Sequence, residues 1–468
     1  MHSRRSFLAS AAALGTAGFH SSLASAESPR TRPPKRSKPA EKKIAVVCSV
    51  YWYLSHAYHI AGRFLDGYMV GDEHHFPEFG VASVCVEQLK NDLSRDLAKE
   101  HGFRISQSIE DALTLGTGKL AVDGVLLICE HGDYPYNAKG QKLYPRHEYF
   151  QQIVKVFEKS GKTVPVFCDK HLSVDRTKAA DMVAIAKKLN FPLMAGSSLP
   201  VTWRRPGLEL PLGVKIQDSL VASRGELEIY GIHALEALQC MVERRFSGAN
   251  PSPGPSPTKG GEKDTPPSLP GKGVGGLGSP RQGVKAVTGL QGDAVWKAAD
   301  DGLWSWDLLE HAVGRSASRN AGDVRANCRR FQRPSTWGNF IPGPIAFHIE
   351  YLDGLKATVL QLDGHVADDT FAAKIEGRTK PASTLFYLPP PPGAAFLEAL
   401  TSHIEKFLAT GKLPYPVERT QLTGGILEYA LESRSKGSKR VETPDLDIRY
   451  APPTDSGFMR GDYTNPVK

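Results

Sequence analysis

The segment CEHGDYPYNAKGQKLYPRHEYF, residues 129–150, is polar and aromatic and crowded with groups that can do chemistry. Glu130, His131, Asp133, Tyr144, Arg146 and His147 are of the types that bind sugar hydroxyls or carboxylates. A second such stretch, SSLPVTWRRPGLELPLG (197–213), holds Trp203, which can stack on a sugar face, and Arg204, whose guanidinium can clamp an anion. Lys170 closes the run VPVFCDK. At the carboxyl end of a buried parallel strand an ammonium group stands at the ligand-binding edge of the sheet, where it polarises a carbonyl or shuttles a proton. GDEHHFPEFG (71–80) sets Asp72, Glu73, His74 and His75 side by side. Neighbouring histidines lack the i, i+4 helical spacing that lets two rings meet one ion. A divalent metal shared with Glu130, His131 and Asp133 is therefore a minor reading beside a solvated loop.

The elements that must position these groups are legible. Short apolar runs at Ile44–Val50, Val81–Val86, Gly124–Cys129, Val164–Cys168 and Phe191–Ala195 have the character of strands buried on both faces. Helical patterns at 55–66, 92–101, 107–114, 146–160 and 176–189 alternate with them. This predicts a Rossmann-like, doubly wound parallel sheet over residues 43–195. Beyond 196 the pattern changes. Helical pieces at 233–245, 303–313 and 394–410 accompany alternating runs at 345–351, 356–362, 370–376 and 383–388. Short turns such as LDGL (352–355) join those runs, so an α+β domain with an antiparallel sheet is expected over 196–435, followed by a C-terminal tail, 436–468. YPVERTQLTGGILEYALESR (415–434) starts as a loop and becomes a helix. An insertion at 247–283 is nearly all Pro, Gly, Ser and Lys and cannot bury a core.

The first strand runs into a turn, SVYWYLS (49–55), before its helix. Strand-turn-helix starts that hold a dinucleotide carry glycines there, for the tight turn and for close approach of backbone to pyrophosphate. This turn has none, although backbone amides at the helix start can still face an anion. Glu87 closes the second strand, where an acid commonly holds an adenosine ribose, but it lies further along than the usual spacing of about 20 residues.

SRRSFLASAAALG with ASA at 24–26 has the parts of a twin-arginine signal in order, so residues 1–26 are expected to direct export of a folded protein to the periplasm. The apolar stretch is too short for a stable membrane span. Residues 27–42 form a basic tether. With Lys43 it has seven basic residues against two acids, which accounts for +5 of the net charge of +8. The globular body is close to neutral, which gives a nucleic-acid surface little support. Six cysteines without a CxxC pair are expected to be buried and free.

Several phrases together resemble the Gfo/Idh/MocA oxidoreductases. FRISQSIEDAL (103–113), VDGVLLICEHGDYP (122–135), VPVFCDKHLS (164–173) and GELEIYGIHALEAL (225–238) are similar to successive segments of that family. The resemblance covers residues 43 to about 245; from about 284 it rests on the pattern of elements. It implies NAD or NADP as cofactor and a sugar or polyol as substrate. It places Lys170 and His233 at the catalytic centre, with Glu228 replacing the family's aspartate, whose position holds Ile229 here. It puts Ser49, Tyr51, Glu87, Glu130, His131 and Asp169 around the cofactor and Tyr144, Arg146, Trp203 and Arg204 on the substrate. It implies no metal, and a homo-oligomer through the antiparallel sheet. The departures are the missing glycines, His171 in place of proline, and Ile229. They keep two alternatives open: a carbohydrate-binding or scaffold descendant without cofactor, and a metal-dependent sugar lyase or epimerase.

Overall fold

The computed structural model describes residues 36, 38–71, 73–247, 280–330, 332–334, 340–389 and 393–461. The export signal, most of the tether, most of the insertion and Asp72 lie outside them. The first layer runs β1 (Lys42–Cys48), α1 (His56–Asp66), β2 (Tyr68–Val70), β3 (Glu73–His75), β4 (Phe79–Val86), α2 (Ser94–His101), β5 (Arg104–Ile105), α3 (Ile109–Thr114), β6 (Gly124–Ile128), α4 (Arg146–Ser160), β7 (Val166–Asp169), α5 (Arg176–Lys188) and β8 (Leu193–Gly196). β5, β4, β1, β6, β7 and β8 form one six-stranded sheet in that order, every pair parallel.

Ile44, Ala45, Val46, Val47 and Cys48 are all fully buried, because helices cover both faces of the sheet. Ala45 and Val47 join the core under α3, α4 and α5, whereas Ile44 and Val46 join the core under α1. A continuous apolar run is the signature of that sandwiching. α1 is started by Ser55, whose hydroxyl accepts from the Tyr58 amide, and stopped by Gly67 at φ 75°. The hairpin β2–β3 then replaces the expected loop at 71–80.

The rest of the chain contains β9 (Trp203–Arg205), β10 (Ile216–Ser223), α6 (Gly231–Val242), β11 (Val284–Gln291), α7 (Asp293–Asp300), α8 (Trp306–Val313), α9 (Val324–Arg330), β12 (Gln332–Pro334), β13 (Phe340–Pro342), β14 (Ile345–Tyr351), β15 (Lys356–Gln361), β16 (Asp369–Ile375), β17 (Ala382–Tyr387), α10 (Phe396–Thr410), α11 (Val417–Ser435) and β18 (Val441–Glu442); α10 returns to the first sheet and packs beside α1, and the others build the second layer. The second layer's eight-stranded sheet has the order β18-β11-β14-β15-β10-β16-β17-β9. All neighbours are antiparallel except β10 and β15, which are parallel.

Both faces of this sheet are covered by the chain itself. Val221, Val287, Phe347, Val359 and Phe371 pack with α6 and α11. Leu220, Leu290, Ala346, Leu360 and Ala372 pack with α7 and α8. Among the described residues each face of the sheet is thus packed by helices of the same chain.

α11 ties the layers together, packing on α5 and β8 of the first and on α6 and β11 of the second. The contact with β11 is close: the Gly289 amide donates to the Ser433 side-chain hydroxyl at 2.9 Å, and a Cβ at 289 would collide with the Ala430 carbonyl oxygen. Gly289→Ala is expected to cost about 1–3 kcal/mol, read as a lower urea midpoint. A midpoint equal to that of the parent would show that α11 can shift away freely.

Candidate functional site

The order of the first sheet reverses between β1 and β6, so the carboxyl ends of those strands form the switch point where open α/β sheets bind ligands. The residues just past β6, β7 and β8 converge there. Glu130 is 3% exposed. Its Oε1 lies 2.8 Å from Lys170 Nζ and its Oε2 accepts from Arg146 Nη2 at 2.7 Å, with the Tyr144 hydroxyl at 3.5 Å. Burial alone would raise this carboxyl; Lys170 and Arg146 outweigh it and hold the pKa well below the usual carboxylate range. The Arg146 guanidinium also stacks on the Tyr144 ring, 4.6 Å from its centroid.

Asp169 ends β7 and Lys170 follows it. Asp169 Oδ2 is 2.7 Å from Nδ1 of His56, the first residue of α1. The His56 and Trp52 rings sit 5.4 and 6.2 Å from that of His131. Burial, then the proximity of His56, lowers the His131 pKa to about 4, so its ring is neutral at neutral pH. His233 on α6 faces Ser197, with Nδ1 2.5 Å from Oγ. Burial and the charge of Lys170 hold it well below the ordinary histidine range. Three non-glycine residues adopt left-handed backbone at these strand ends: Leu54 after β1, His131 after β6 and Lys170 after β7. That conformation costs roughly 1–2 kcal/mol each and persists where surrounding structure enforces it.

The catalytic set of the sequence reading is thus rearranged. Glu228 does not partner His233; its Oε1 lies 2.7 Å from His171 Nε2, both side chains buried. Of the residues placed around the cofactor, Glu130, His131 and Asp169 lie in the cluster. The Ser49 hydroxyl is turned inward and donates to the Glu130 carbonyl at 2.9 Å. Tyr51 is 1% exposed in the core beneath α1. Glu87 is exposed at the end of β4 and accepts from the Tyr134 hydroxyl and from Tyr149. Gln88 clamps the Asp133 backbone, accepting from its amide at 2.8 Å and donating to its carbonyl at 3.2 Å. Of the substrate residues, Tyr144 and Arg146 join the cluster. Trp203 and Arg204 do not: they lie on edge strand β9, with Arg204 buried, donating to the Leu208 and Pro200 carbonyls and packed over Phe458.

The histidine pair at 74–75 is far from this cluster. α1 leads from the carboxyl edge of the sheet to its amino edge, and its eleven residues span about 16 Å. There His74 Nε2 meets the Asp66 carbonyl and His75 Nε2 meets Glu405. His74 and His131 therefore stand at opposite edges of the sheet and cannot share an ion. Among the described residues no group of three or more His, Cys, Asp or Glu side chains is placed to hold a metal. His56, which the sequence reading did not single out, also joins the cluster at the switch point. Its partner is 113 positions away, and only the parallel order of β1, β6 and β7 brings the two together.

His131 and the buried His348 share one consequence. Each has a folded-state pKa of about 4, below the unfolded value near 6.5. Above 6.5 neither state is protonated there. Between about 6.5 and 4 the unfolded chain takes up protons that the fold refuses, so stability falls as pH falls through that window. The urea midpoint is expected to be lower at pH 5 than at pH 7.5, and His348→Asn should remove part of the difference. Equal midpoints would show that both rings charge freely in the fold.

No protein-family model matches the chain, and no curated protein matches it. Solved structures resemble it in architecture. GenD2 from gentamicin A biosynthesis, in complex with NAD, matches over 88% of this chain and 99% of its own at 12% identity and a TM-score of 0.49. Myo-inositol dehydrogenase from Lactobacillus casei, in complex with NAD(H) and myo-inositol, matches over 86% and 96% at 9% identity and a TM-score of 0.49. Biliverdin reductase from Synechocystis sp. PCC 6803, in complex with biliverdin and NADP+, matches over 84% and 98% at 12% identity and a TM-score of 0.43. Among the described residues no helix is long and apolar enough to cross a membrane.

Proposed function

We propose that this chain is an oxidoreductase of the Gfo/Idh/MocA kind that acts on a sugar or polyol with NAD or NADP, and that the twin-arginine pattern exports it folded. The observation that carries the reading is the Lys170 ammonium, fixed at the carboxyl end of β7 by Glu130 and close enough to the neutral His233 to depress it. Lys170 has three donors. The ammonium is ion-paired with Glu130, and its donors suit a substrate hydroxyl or the carbonyl it becomes. His233, steadied by Ser197, and the neutral His131 offer imidazoles that exchange protons with neighbouring hydroxyls. Tyr144 and Arg146 hold Glu130, and so hold Lys170, in place.

The residues fit a dinucleotide at its two ends and not at its middle. Glu87 stands exposed at the end of β4, as a ribose-binding acid does, and Lys170 stands where the reacting ring belongs. Between them the turn has no glycine, Ser49 and Tyr51 face inward, and the first residue of α1 is committed to Asp169. When bound, the nicotinamide supplies hydride transfer; the chain's own residues orient the substrate and manage its proton. The deciding test is mass analysis of nucleotide released by denaturing protein folded in a cytoplasm. NAD(H) or NADP(H) at near-stoichiometric amount is expected. A clean apo protein that also fails to quench or enhance the fluorescence of added NADH would overturn the reading and favour a cofactor-free descendant.

A further inference from the structure

His56 occupies the start of α1, where a dinucleotide turn would bring backbone to pyrophosphate. It reaches over the end of β6 to β7, so the His56–Asp169 contact bridges the switch point. A carboxylate accepts hydrogen bonds and cannot donate. Asp169 therefore fixes the proton of a neutral His56 on Nδ1 and leaves the Nε2 lone pair free, the arrangement in which a carboxylate readies an imidazole as a base. The carboxylate is 2% exposed and the ring 20% exposed, so the pair is anchored at one end and open at the other. His233 differs. Its Nδ1 meets the Ser197 hydroxyl, a group that can donate or accept, so no carboxylate fixes which of its nitrogens carries the hydrogen.

We propose that His56 is a catalytic base, positioned by Asp169, that enolises a keto sugar or keto polyol with the Lys170 ammonium as electrophile. The inference rests on the reading above for its substrate class. His56 Nε2 takes the proton from the carbon beside the carbonyl. The C–H electron pair becomes the new C=C bond, and the carbonyl π pair moves onto oxygen, where the Lys170 ammonium hydrogen-bonds the developing charge. Return of a proton from Nε2 restores the ketone. No electron leaves the substrate and no co-reactant is consumed.

The test is deuterium wash-in, followed by proton NMR, on D-fructose and on 2-keto-myo-inositol in D2O at pH 7.5. The wild-type protein should exchange the proton beside the carbonyl of at least one of them well above the buffer rate. His56→Gln should lose at least about 100-fold of that. Asp169→Asn should lose a comparable factor while its melting curve stays near wild type, and the nitrogen NMR shifts of His56 should show the ring hydrogen leaving Nδ1. Exchange at buffer rate with both sugars, wild-type exchange in His56→Gln, or a wild-type His56 carrying its hydrogen on Nε2 would each overturn the inference. The tautomer measurement uses the unaltered protein, so a variant that fails to fold does not blunt the test. Nucleotide release is read separately: bound nucleotide without exchange sinks the base and spares the oxidoreductase, and exchange without nucleotide does the reverse.

Discussion

Arg419→Met is expected to lower the stability of the fold by about 3–5 kcal/mol, the cost of leaving buried charge without its partner. Arg419 and the two carboxylates it serves are all fully buried. Its Nε lies 3.5 Å from Glu236 Oε2 and its Nη1 donates to Glu243 Oε1 at 3.2 Å, while the guanidinium lies over the Tyr415 ring at 3.7 Å. Glu236 also accepts from the Thr423 hydroxyl at 2.7 Å, and Glu243 from the Tyr450 hydroxyl at 2.8 Å. Methionine fills much of the volume, so the loss would come from charge rather than from a cavity. Burial already pushes the Glu243 carboxyl up, with Arg419 opposing. Without the arginine Glu243 should take up a proton, and stability should become more pH-dependent. Urea unfolding at pH 7.5 measures the loss. Adding Glu236→Gln and Glu243→Gln to the same protein should recover most of it, because the three groups act as a unit. A single variant within 1 kcal/mol of wild type would mean that water reaches the network.

Lys170→Ala should reduce kcat/KM about 100- to 10,000-fold, the usual weight of a positioned proton donor or acceptor. The fold should survive, because Glu130 keeps its bond to Arg146. Lys170→Arg separates the roles: it restores the charge beside Glu130 but presents a planar fork where a compact ammonium stood. Stability should return with arginine and activity should not. The readout is deuterium wash-in or nucleotide reduction, whichever the wild-type protein performs, beside a melting curve for each variant. Activity in Lys170→Ala within tenfold of wild type would remove the lysine from the reaction under both readings.

Where a residue sits on its strand was easier to read than what it touches. The buried strands announced themselves by composition. β14 begins and ends where its alternation does, at residues 345 and 351, and α4 matches its pattern over 146–160. β10 and β11 escaped notice because polar residues interrupt their apolar runs: Ser219 and Ser223, both buried, and the half-buried Thr288. In the site, Glu130, Asp169 and Lys170 could be placed because each lies at or just past a strand end, and a parallel sheet gathers its carboxyl ends along one edge. Partners could not be read this way. Glu228 was expected to serve His233, three-dimensional packing gives it His171, and His233 takes Ser197 from a different strand end. The lone histidine at the start of α1 carried no local mark of its carboxylate.

The single parallel pair in the second sheet has a consequence for how the chain is made. β10 lies between β15 and β16, and about 140 residues separate its start at Ile216 from that of β15 at Lys356. At about 5–20 residues per second a ribosome needs roughly 7–30 s to cross that interval. The first sheet can be complete while β10 still has no neighbour on either side. For that time an apolar strand, Leu220–Ala222, waits with its backbone unpaired. Chaperone protection, or slowed addition of the later strands, should therefore alter the yield of soluble chain far more through this second sheet than through the first.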